Sequence, residues 1–475
     1  MSEQLPAPLT AQALERLAGA IRVPTVSERE DALFGRFQEF LADSYPRFFA
    51  TVESVHFGPR ALVCCWRALR APAAQEPSGL GPNVAEPHST GRPVLFLSHY
   101  DVVPVEADKW SGPPFGGELR DGFLWGRGTL DTKTTLFWTL EAAESLMASG
   151  FVPTRDIWFA FGGDEEVSGF EGAQKVAAWF AEQGIRFSWL LDEGSIVAQD
   201  MLSMVKEPLA LVSVEEKGYL DVEVSVEQAS GHASRPPQEQ AAAVLGRALS
   251  RLAKKPFPWS LTPGVEGFFR SLSGLVTGIQ KPVLRNARAL GPLFFPLSAS
   301  SDATRALLRT TLAMTQLEGS RASNVMPRRV SATLNLRLLS PWTIEKALDF
   351  SRRVIADDRV ALRVKPGSFA NDPIPCSPAC ARGESEGWDD IRAAIGVAFP
   401  DAAILPFLNT ATTDSRHYAS LCDAIYRFAP MRLTPGELSR IHSEDERISL
   451  ENIAAGLVFY NTLMGRLCTR IQGAQ

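Results

Sequence analysis

The strongest constraint on the fold of this chain is a set of continuous apolar runs that each end abruptly in polar or glycine-rich residues. Such runs are typical of strands buried on both faces of a parallel sheet, with helices packed against each face. In these sheets, ligands bind beyond the carboxyl ends of the strands, where the polar residues of this chain accumulate. The runs, with the residues that follow them, are "VLFLSHYD" (94–101), "IWFAFGGDEE" (157–166) and "FSWLLDEGS" (187–195).

A change of pattern near residue 216 predicts a second domain inserted into the first. The segment "YLDVEVSVE" alternates like a half-exposed strand, and the elements after it, with a short strand near 321–326, give the order β-α-β-β-α-β. Residues 256–320 do not fit that unit, and we expect them to form a packed helical insertion. We therefore predict a mainly parallel α/β catalytic domain covered by helices (1–216 and 366–475), with a smaller α+β lid or dimerisation domain (217–365).

Charge and composition exclude several classes of protein. The 475 residues carry a net charge of −6 and show no basic stripe, so we expect no nucleic-acid partner. No apolar run reaches the length of about 18 residues that a membrane span needs, and the N-terminal segment lacks the apolar core of a signal peptide. The six cysteines have no paired C-x-x-C spacing, which favours reduced thiols in a cytoplasmic protein.

Imidazole and carboxylate side chains collect where the apolar runs end. A strand places residues two apart on the same side, so His99 and Asp101 are expected to face one site. Each acid taken alone is explained by a helix N-cap or a loop hydrogen bond. Together, unpaired carboxylates would repel one another, and cations between them would remove that repulsion. The other acids of this set are Asp131, Glu165, Glu166 and Asp192.

This donor set predicts a pair of divalent metal ions. Carboxylate and imidazole ligands without thiolate suit zinc, cobalt or manganese. In hydrolytic centres two such ions lie about 3.5–4 Å apart and share a bridging ligand. They need more ligands than His99 and the four acids Asp131, Glu165, Glu166 and Asp192 easily provide, so a second His is expected downstream. His442, in "SRIHSEDERIS", is the best candidate because it precedes the last long helix of the catalytic domain.

Eight short motifs, in this order along nearly the whole chain, resemble the di-zinc metallopeptidase family of aminoacylases, G- and S-type carboxypeptidases and succinyl-diaminopimelate desuccinylase. Within that family the chain is most similar to carboxypeptidase S and to N-fatty-acyl-amino-acid synthase/hydrolase. The motifs are "SHYDVVP", "WGRGTLDTK", "GGDEEVSG", "LLDEGS", "SGHASRPP", "SNVMP", "TDSR" and "RIHSEDERI".

The resemblance implies two zinc ions held by five protein ligands. His99 and Asp192 would bind one ion, and Glu166 and His442 would bind the other. Asp131 would bridge the two ions. Cobalt or manganese could replace zinc in such a site.

The resemblance also implies three residues that act on the reaction without binding metal. Asp101 would hold His99 in its tautomer and orientation. Glu165 would be the general base, which takes a proton from the attacking water and delivers it to the leaving amine. His232, on the inserted domain, would stabilise the tetrahedral oxyanion. In dimeric relatives this His comes from the partner subunit. A homodimer is therefore one possible arrangement for this chain.

Three further residues match family positions that contact substrate, namely Asn324, Arg337 and Arg416. An Arg fork binds a carboxylate through two hydrogen bonds, which suits a substrate with a free carboxylate, although each Arg could equally form a surface ion pair. One departure stands out: the family usually reads Asp-Asp-Lys where this chain has Thr132 in the middle position.

These patterns predict a metal-dependent amidohydrolase that cleaves an amide next to a free carboxylate, in N-acyl amino acids or small peptides. The alternative is a catalytically inactive metal- and peptide-binding protein of the same fold.

"GESEG" fits the serine-hydrolase pattern with Ser385 at its centre, but no buried strand is predicted before it. No H-E-x-x-H motif occurs in the sequence, which excludes a zincin.

Overall fold

The computed structural model describes residues 5–68, 91–298 and 301–470. They form two compact units. The first unit consists of the described residues within the ranges Met1–Ser213, Arg382–Leu405 and Thr413–Gln475. The second unit consists of those within Val214–Ala381 and Pro406–Thr412. The predicted inserted domain, 217–365, falls within the range of the second unit, which continues to Ala381. Its role as a lid or dimerisation domain stays a prediction.

The helices of the described ranges are α1 (Ala11–Arg22), α2 (Asp31–Ser44), α3 (Pro46–Thr51), α4 (Lys133–Ala148), α5 (Ala173–Glu182), α6 (Ala241–Lys254), α7 (Pro263–Leu272), α8 (Gln280–Arg285), α9 (Ala287–Ser298), α10 (Asp302–Leu308), α11 (Ile344–Ile355), α12 (Pro378–Ala381), α13 (Trp388–Ala398), α14 (Pro435–Leu438) and α15 (Leu450–Arg466).

The strands of the same ranges are β1 (Glu53–His56), β2 (Ala61–Trp66), β3 (Val94–His99), β4 (Glu118–Arg120), β5 (Phe123–Trp125), β6 (Phe151–Pro153), β7 (Ile157–Gly162), β8 (Phe187–Asp192), β9 (Val197–Ala198), β10 (Leu209–Glu216), β11 (Gly218–Glu227), β12 (Gly231–His232), β13 (Thr311–Glu318), β14 (Val325–Met326), β15 (Arg329–Leu338), β16 (Val360–Val364), β17 (Ala370–Asn371), β18 (Ala403–Asn409), β19 (Cys422–Arg427), β20 (Arg432–Leu433), β21 (Arg447–Ser449) and β22 (Cys468–Arg470).

A large sheet with strand order β1-β2-β7-β3-β8-β19-β10-β9-β20 organises the first unit, and β18 pairs with β10. The central strands β7, β3, β8 and β19 run parallel, whereas β1, β2 and β10 pair antiparallel at the flanks. Every residue of β3, β7 and β8 is buried, because both faces of these strands are covered. The predicted α/β class with mainly parallel central strands is therefore confirmed.

The glycine turn before α4 delivers one candidate ligand to this sheet. The helix begins at Lys133, directly after Asp131 and Thr132, which are joined by a cis peptide bond. Nearly the whole first three turns of α4 are buried, as a helix packed between sheet and neighbouring helices requires. Gly150, with a positive φ of 74°, follows shortly after Ala148, the last helical residue, and ends the helix.

The second unit contains an antiparallel sheet with order β13-β15-β11-β16, and β17 pairs with β11. Helices α6 and α11 bury their apolar side chains against this sheet. The order β11-α6-β13-β15-α11-β16 is β-α-β-β-α-β as predicted, but its second strand is β13 and not the short strand expected near 321–326. Alternate side chains of β11 and β15 pack against those of the two helices to form the core of this unit. The core includes Leu220, Val222 and Val224 of β11, Leu334 of β15, Val244 and Leu252 of α6, and Ile355 of α11.

The insertion within the second unit is helical, but it ends earlier than the sequence pattern indicated. Helices α7 to α10 occupy 263–308, and residues 311–318 form β13 rather than part of the insertion. The strand predicted near 321–326 is only the two-residue β14, which pairs with β12. The prediction was wrong here because β13 is exposed along most of its length and lacks the apolar alternation that marks a half-buried strand.

These helices and strands also bear on the serine-hydrolase motif and on membrane spans. Ser385 follows α12 and precedes α13, and no strand leads into it in the described chain, so it does not sit on a nucleophile elbow. None of the helices in the described ranges combines the length and apolar character that a membrane crossing requires.

Candidate metal centre and active site

Three predicted ligands converge at the carboxyl ends of the parallel strands. His99 is the last residue of β3, Asp131 precedes α4, and Glu166 lies in the short turn after β7. One ligand atom from each lies within 4.8 Å of those of the other two, close enough to hold a single cation. The convergence follows from topology, because β3 and β7 are parallel neighbours and end at the same edge.

Asp131 lies between two imidazoles from distant parts of the chain. Its Oδ1 is 3.2 Å from His99 Nε2, and its Oδ2 is 3.0 Å from His442 Nε2. His442 Nε2 is also 3.2 Å from Glu166 Oε1. Burial alone would raise the pKa of Asp131, but the two imidazoles hold it below its ordinary value. Each oxygen of one carboxylate thus faces a different side of the site, as in a bridging ligand.

Asp101 is fully buried and connects His99 to the loop of the two adjacent glutamates. Its Oδ1 lies 3.2 Å from His99 Nδ1, the ring nitrogen that faces away from Asp131. The carboxylate accepts the backbone N–H groups of Glu165 and Glu166 at 3.1 and 3.2 Å. It also accepts the hydroxyl of Ser27 at 2.7 Å. One side chain therefore sets the orientation of both the imidazole and the acidic loop.

Asp192 is the buried last residue of β8 and borders the same region from the other side. Its Oδ2 accepts the backbone N–H of Ser415 at 2.9 Å, and its Oδ1 accepts that of Glu193 at 2.9 Å. His99 and Asp192 line one cavity together with Asp414. Asp192 lies outside the tight group formed by the first three ligands.

Glu165 and Arg416 form a contact within the first unit. Arg416 Nη1 lies 3.4 Å from Glu165 Oε1 and donates to the carbonyl of Thr413 at 2.6 Å. Burial raises the pKa of Glu165 well above its ordinary value, and the positive charges of His99 and Arg416 oppose that rise. A carboxylate with a raised pKa in a cleft suits a group that accepts and returns a proton. The predicted contact of Arg416 with substrate stays a prediction.

His232 and Asn324 lie side by side on the second unit. His232 pairs with Val325 in the β12–β14 ladder, and Ala233 N–H donates to the carbonyl of Asn324 at 3.0 Å. The backbone N–H of Ser234 donates to His232 Nδ1 at 3.1 Å. Nδ1 is therefore an acceptor, which leaves the proton of the neutral ring on Nε2. The exposed imidazole presents a donor, as an oxyanion contact requires.

Arg337 occupies a largely enclosed position on β15. Its guanidinium lies 4.6 Å from the ring centroid of Tyr219, and its Nε donates to Asn335 Oδ1 at 3.3 Å. Burial lowers the pKa of Arg337, and the negative charges of Asp221 and Glu216 oppose that change. A half-enclosed guanidinium of this kind suits an anionic ligand.

The comparison with known proteins decides the family. The model of "Peptidase family M20/M25/M40" matches residues 95–466, more than three quarters of the chain. The chain belongs to this family. The resemblance seen in the motifs is thereby confirmed, and the chain is a metal-dependent hydrolase rather than the inactive binding protein left as an alternative.

Individual M20 relatives agree with that assignment. The N-fatty-acyl-amino acid synthase/hydrolase PM20D1 of Mus musculus is 33% identical, and the match covers 92% of this chain and 84% of the mouse protein. The probable carboxypeptidase S-like 2 of Dictyostelium discoideum is 32% identical over 95% of this chain and 84% of its own length. The metallo-carboxypeptidase Sso-CP2 of Sulfolobus solfataricus shares the fold, with a TM-score of 0.68 at 14% identity, covering 96% of this chain and 99% of that chain.

The residues present fit the divalent metals of the M20 family. Several carboxylates are buried within one small region, and burial raises the pKa of both Glu166 and Asp414, the latter to about 8. Such a concentration of acids is unfavourable without compensating cations. Oxygen and imidazole donors without a thiolate are the set that zinc, cobalt and manganese accept.

Glu446 has a supporting role in the site that the sequence pattern did not predict, although it lies in the M20 motif "RIHSEDERI". Its buried carboxylate accepts the backbone N–H groups of Gly128 and Leu130 and pairs with Arg127. The available signal was its position four residues after His442, in a motif already singled out. Spacing alone does not show that this acid turns inward while its neighbours Glu444 and Asp445 do not.

Proposed function

We propose that this M20 protein is a binuclear zinc hydrolase that cleaves an amide bond next to a free carboxylate, in N-acyl amino acids or small peptides. The observation that carries the proposal is the position of Asp131, whose two oxygens face His99 at 3.2 Å and His442 at 3.0 Å. A carboxylate shared between two nitrogen donors is the arrangement of a bridged metal pair.

The proposed ligands divide into two sets around that bridge. His99 and Asp192 would hold one ion, and Glu166 and His442 the other, with Asp131 common to both. Bound metal ions of this kind lower the pKa of a water molecule and polarise the scissile carbonyl. Asp101 fixes His99 through Nδ1, so that Nε2 points toward Asp131.

Glu165 is proposed to move the proton. It would accept a proton from the attacking water and release it to the leaving amine nitrogen. Burial favours its protonated form, and the guanidinium of Arg416 at 3.4 Å favours the ionised form. The two opposing influences suit a carboxylate that must hold a proton for one step and release it in the next.

Residues of the second unit are proposed to bind the substrate. The Nε2–H of His232 would donate to the carbonyl oxygen as it becomes an oxyanion, and Asn324 would contact the same end of the substrate. His232 could serve its own chain or a second copy in a homodimer, and both arrangements use the same donor.

Arg337 is proposed to bind the free carboxylate of the substrate, because its half-enclosed guanidinium contacts the Tyr219 ring and the neutral amide of Asn335 and can form two hydrogen bonds with a carboxylate. The mouse relative is named for N-fatty-acyl amino acids and the slime-mould relative for carboxypeptidase S. We propose N-acyl amino acids with an apolar acyl group as the preferred substrates.

We also propose that the protein works in the cytoplasm. All six cysteines lie in the described ranges and form no disulfide there, including the adjacent buried pair Cys64 and Cys65. Reduced thiols are the usual state in that compartment.

The function is tested by amide hydrolysis with the zinc-loaded protein. The panel contains N-acetyl and long-chain N-acyl amino acids and dipeptides, assayed with wild type, Glu165→Gln and the control Glu171→Gln. Glu171 is an exposed glutamate on the same loop that pairs with Lys175. We expect turnover by wild type and the control, and a loss of at least about 10²-fold in Glu165→Gln at equal zinc content.

Two outcomes would contradict the proposal. Equal rates for wild type and Glu165→Gln would refute the proton-transfer role of Glu165. If the protein with two zinc ions bound hydrolysed no compound of the panel, the proposed substrate class would be refuted.

A further inference from the structure

Arg427, at the end of β19, is a fully buried cation that binds two hydroxyl groups of a neighbouring turn. Its side chain is 0% exposed. Its Nε donates to Ser415 Oγ at 2.8 Å and to Thr413 Oγ1 at 3.3 Å. The two hydroxyl oxygens are themselves 2.6 Å apart. Removing a guanidinium from water costs free energy. A fully buried arginine is therefore expected to have a role in the neighbouring site.

The turn that Arg427 binds reaches two members of the active site. The backbone N–H of Ser415 donates to Asp192 Oδ2 at 2.9 Å. The carbonyl of Thr413 accepts Arg416 Nη1 at 2.6 Å, and the same Nη1 lies 3.4 Å from Glu165. The hydroxyl groups of Thr413 and Ser415 therefore bind Arg427, while the backbone of these two residues binds the side chains of Arg416 and Asp192.

Arg427 is also placed in register with Asp192 by the sheet itself. The two residues are partners in the parallel β19–β8 ladder, and Phe428 N–H donates to the Asp192 carbonyl at 2.9 Å. Residues in register on neighbouring strands project from the same face of a sheet. The positive side chain of Arg427 therefore lies on the same face as the carboxylate of Asp192.

We infer that Arg427 is a positioning residue for the hydrolytic centre. It fixes the 413–416 turn so that the N–H of Ser415 orients Asp192 for metal binding and Arg416 reaches Glu165. The inference rests on the proposed function, because it gives Asp192 and Glu165 the roles proposed above. In this scheme Arg427 touches neither substrate nor metal and acts through the turn.

The rigid planar guanidinium favours arginine over lysine at this position. The single Nε–H of Arg427 is shared by both hydroxyls and its direction is fixed by the plane of the group, whereas a lysine ammonium is a point charge on a flexible stem. Arg427→Lys should therefore keep the charge but bind the turn less firmly. Arg427→Met should lose both, and Ser415→Ala should lose one hydroxyl while keeping the N–H that binds Asp192.

The test combines a metal titration with steady-state kinetics on the full-length protein. Metal-free wild type and variants are titrated with Co²⁺, and absorption is followed as the two sites fill. We expect Arg427→Met to weaken one of the two sites by about 10–100-fold and to leave the other near the wild-type value. With saturating zinc, kcat should fall at least about 10-fold while KM changes by less than about 3-fold. Arg427→Lys should recover part of both losses.

Arg16→Met is the matched control for the loss of an arginine that is mostly enclosed. Arg16 pairs with Glu141 at 2.5 Å in the same unit and joins α1 to α4 rather than to the 413–416 turn. Its loss should lower the melting temperature and leave Co²⁺ binding and kcat unchanged.

Wild-type Co²⁺ affinity and kcat in Arg427→Met would overturn the inference and leave Arg427 a purely structural residue. If Arg427→Met does not fold, Arg427→Lys and Thr413→Val decide by the same two measurements, and wild-type values in both overturn it. If wild type hydrolyses no amide of the panel, the proposed function fails, and the Co²⁺ titration still decides whether Arg427 positions Asp192.

Discussion

The carboxylate of Glu446 accepts the backbone N–H of Leu130 at 2.7 Å, directly before the central acid Asp131. Glu446 also pairs with Arg127 at 2.5 Å, and the exposed fractions of the two side chains are 0% and 3%. Glu446 follows His442 by four residues, so one short segment supplies an imidazole and anchors the turn that carries the carboxylate facing it. The geometry around Asp131 therefore depends on a residue that is not itself a ligand.

Replacing Glu446 by Gln should weaken both the fold and the metal site. The substitution leaves the buried guanidinium of Arg127 without its counter-charge, which costs about 3–5 kcal/mol when a buried pair is broken. The loosened turn should reduce zinc affinity by about 10–100-fold. Urea unfolding and zinc titration measure the two effects.

Glu437→Gln is the control, because Glu437 belongs to the same C-terminal segment and completes a capping box with Thr434. Because Gln can also complete a capping box, the substitution should lower the free energy of unfolding by less than about 1 kcal/mol and leave zinc affinity unchanged. Wild-type zinc affinity in a folded Glu446→Gln protein would show that the turn holds Asp131 without this carboxylate.

Asp101→Asn should impair the site through its two attachments. The carboxylate accepts N–H groups from Glu165 and Glu166, and the amide nitrogen of asparagine cannot replace an acceptor oxygen there. We expect zinc affinity to fall by about 10–100-fold and the free energy of unfolding to fall by about 1–3 kcal/mol. Zinc titration and urea unfolding provide the readouts.

Asp156→Asn provides a comparison at the opposite end of β7. Asp156 accepts the backbone N–H of Ala68 and pairs with Arg67, both at 2.8 Å. Its loss should reduce stability without changing zinc binding. Equal zinc affinities for Asp101→Asn and wild type would contradict the orienting role of Asp101.

The sequence predicted the parts of the fold and site that depend on local pattern. Buried parallel strands such as β3 and β7 are continuous apolar runs, and their ends are marked by His99 and by the acidic pair Glu165 and Glu166. Because parallel strands end at one edge, the apolar runs alone were enough to predict that these side chains converge. The need for a second His followed from the number of ligands that two ions require, whereas the place of His442 beside a bridging Asp131 followed from the family resemblance.

Features that depend on tertiary contacts could not be predicted in this way. The inward turn of Glu446 and the contact of Arg416 with Glu165 join segments more than 250 residues apart, and nothing in the local spacing marks them. Strand β13 was missed because an exposed edge strand lacks the alternation on which the prediction relied. Its pairing with β15 is visible only in the assembled sheet.

Arg337→Met should affect only substrates that carry a free carboxylate. Loss of a charged hydrogen-bonding group costs about 1.5–3 kcal/mol, which corresponds to a rise in KM of about 10–150-fold. An analogue in which the carboxylate is converted to a carboxamide should bind wild type weakly and show little further change in the variant. Arg329→Met, on the same strand but paired with Glu223, is the control and should leave both KM values unchanged. Equal KM changes for acid and amide substrates would refute carboxylate recognition by Arg337.

Lys217 should make the stability of the protein rise with pH. Its buried ammonium donates to the carbonyls of Ala306 and Arg309, both at 2.9 Å, and burial lowers its pKa to about 7. In the unfolded chain the lysine keeps this proton up to about pH 10.4. From about pH 7 upward the unfolded chain therefore binds more protons than the folded chain. The free energy of unfolding then rises with pH, by at most about 1.4 kcal/mol per pH unit. Urea unfolding between about pH 7 and about pH 9 should show this slope in wild type and in the exposed control Lys175→Met, and a smaller slope in Lys217→Met. Identical slopes in all three proteins would mean that Lys217 keeps an ordinary pKa in the folded state.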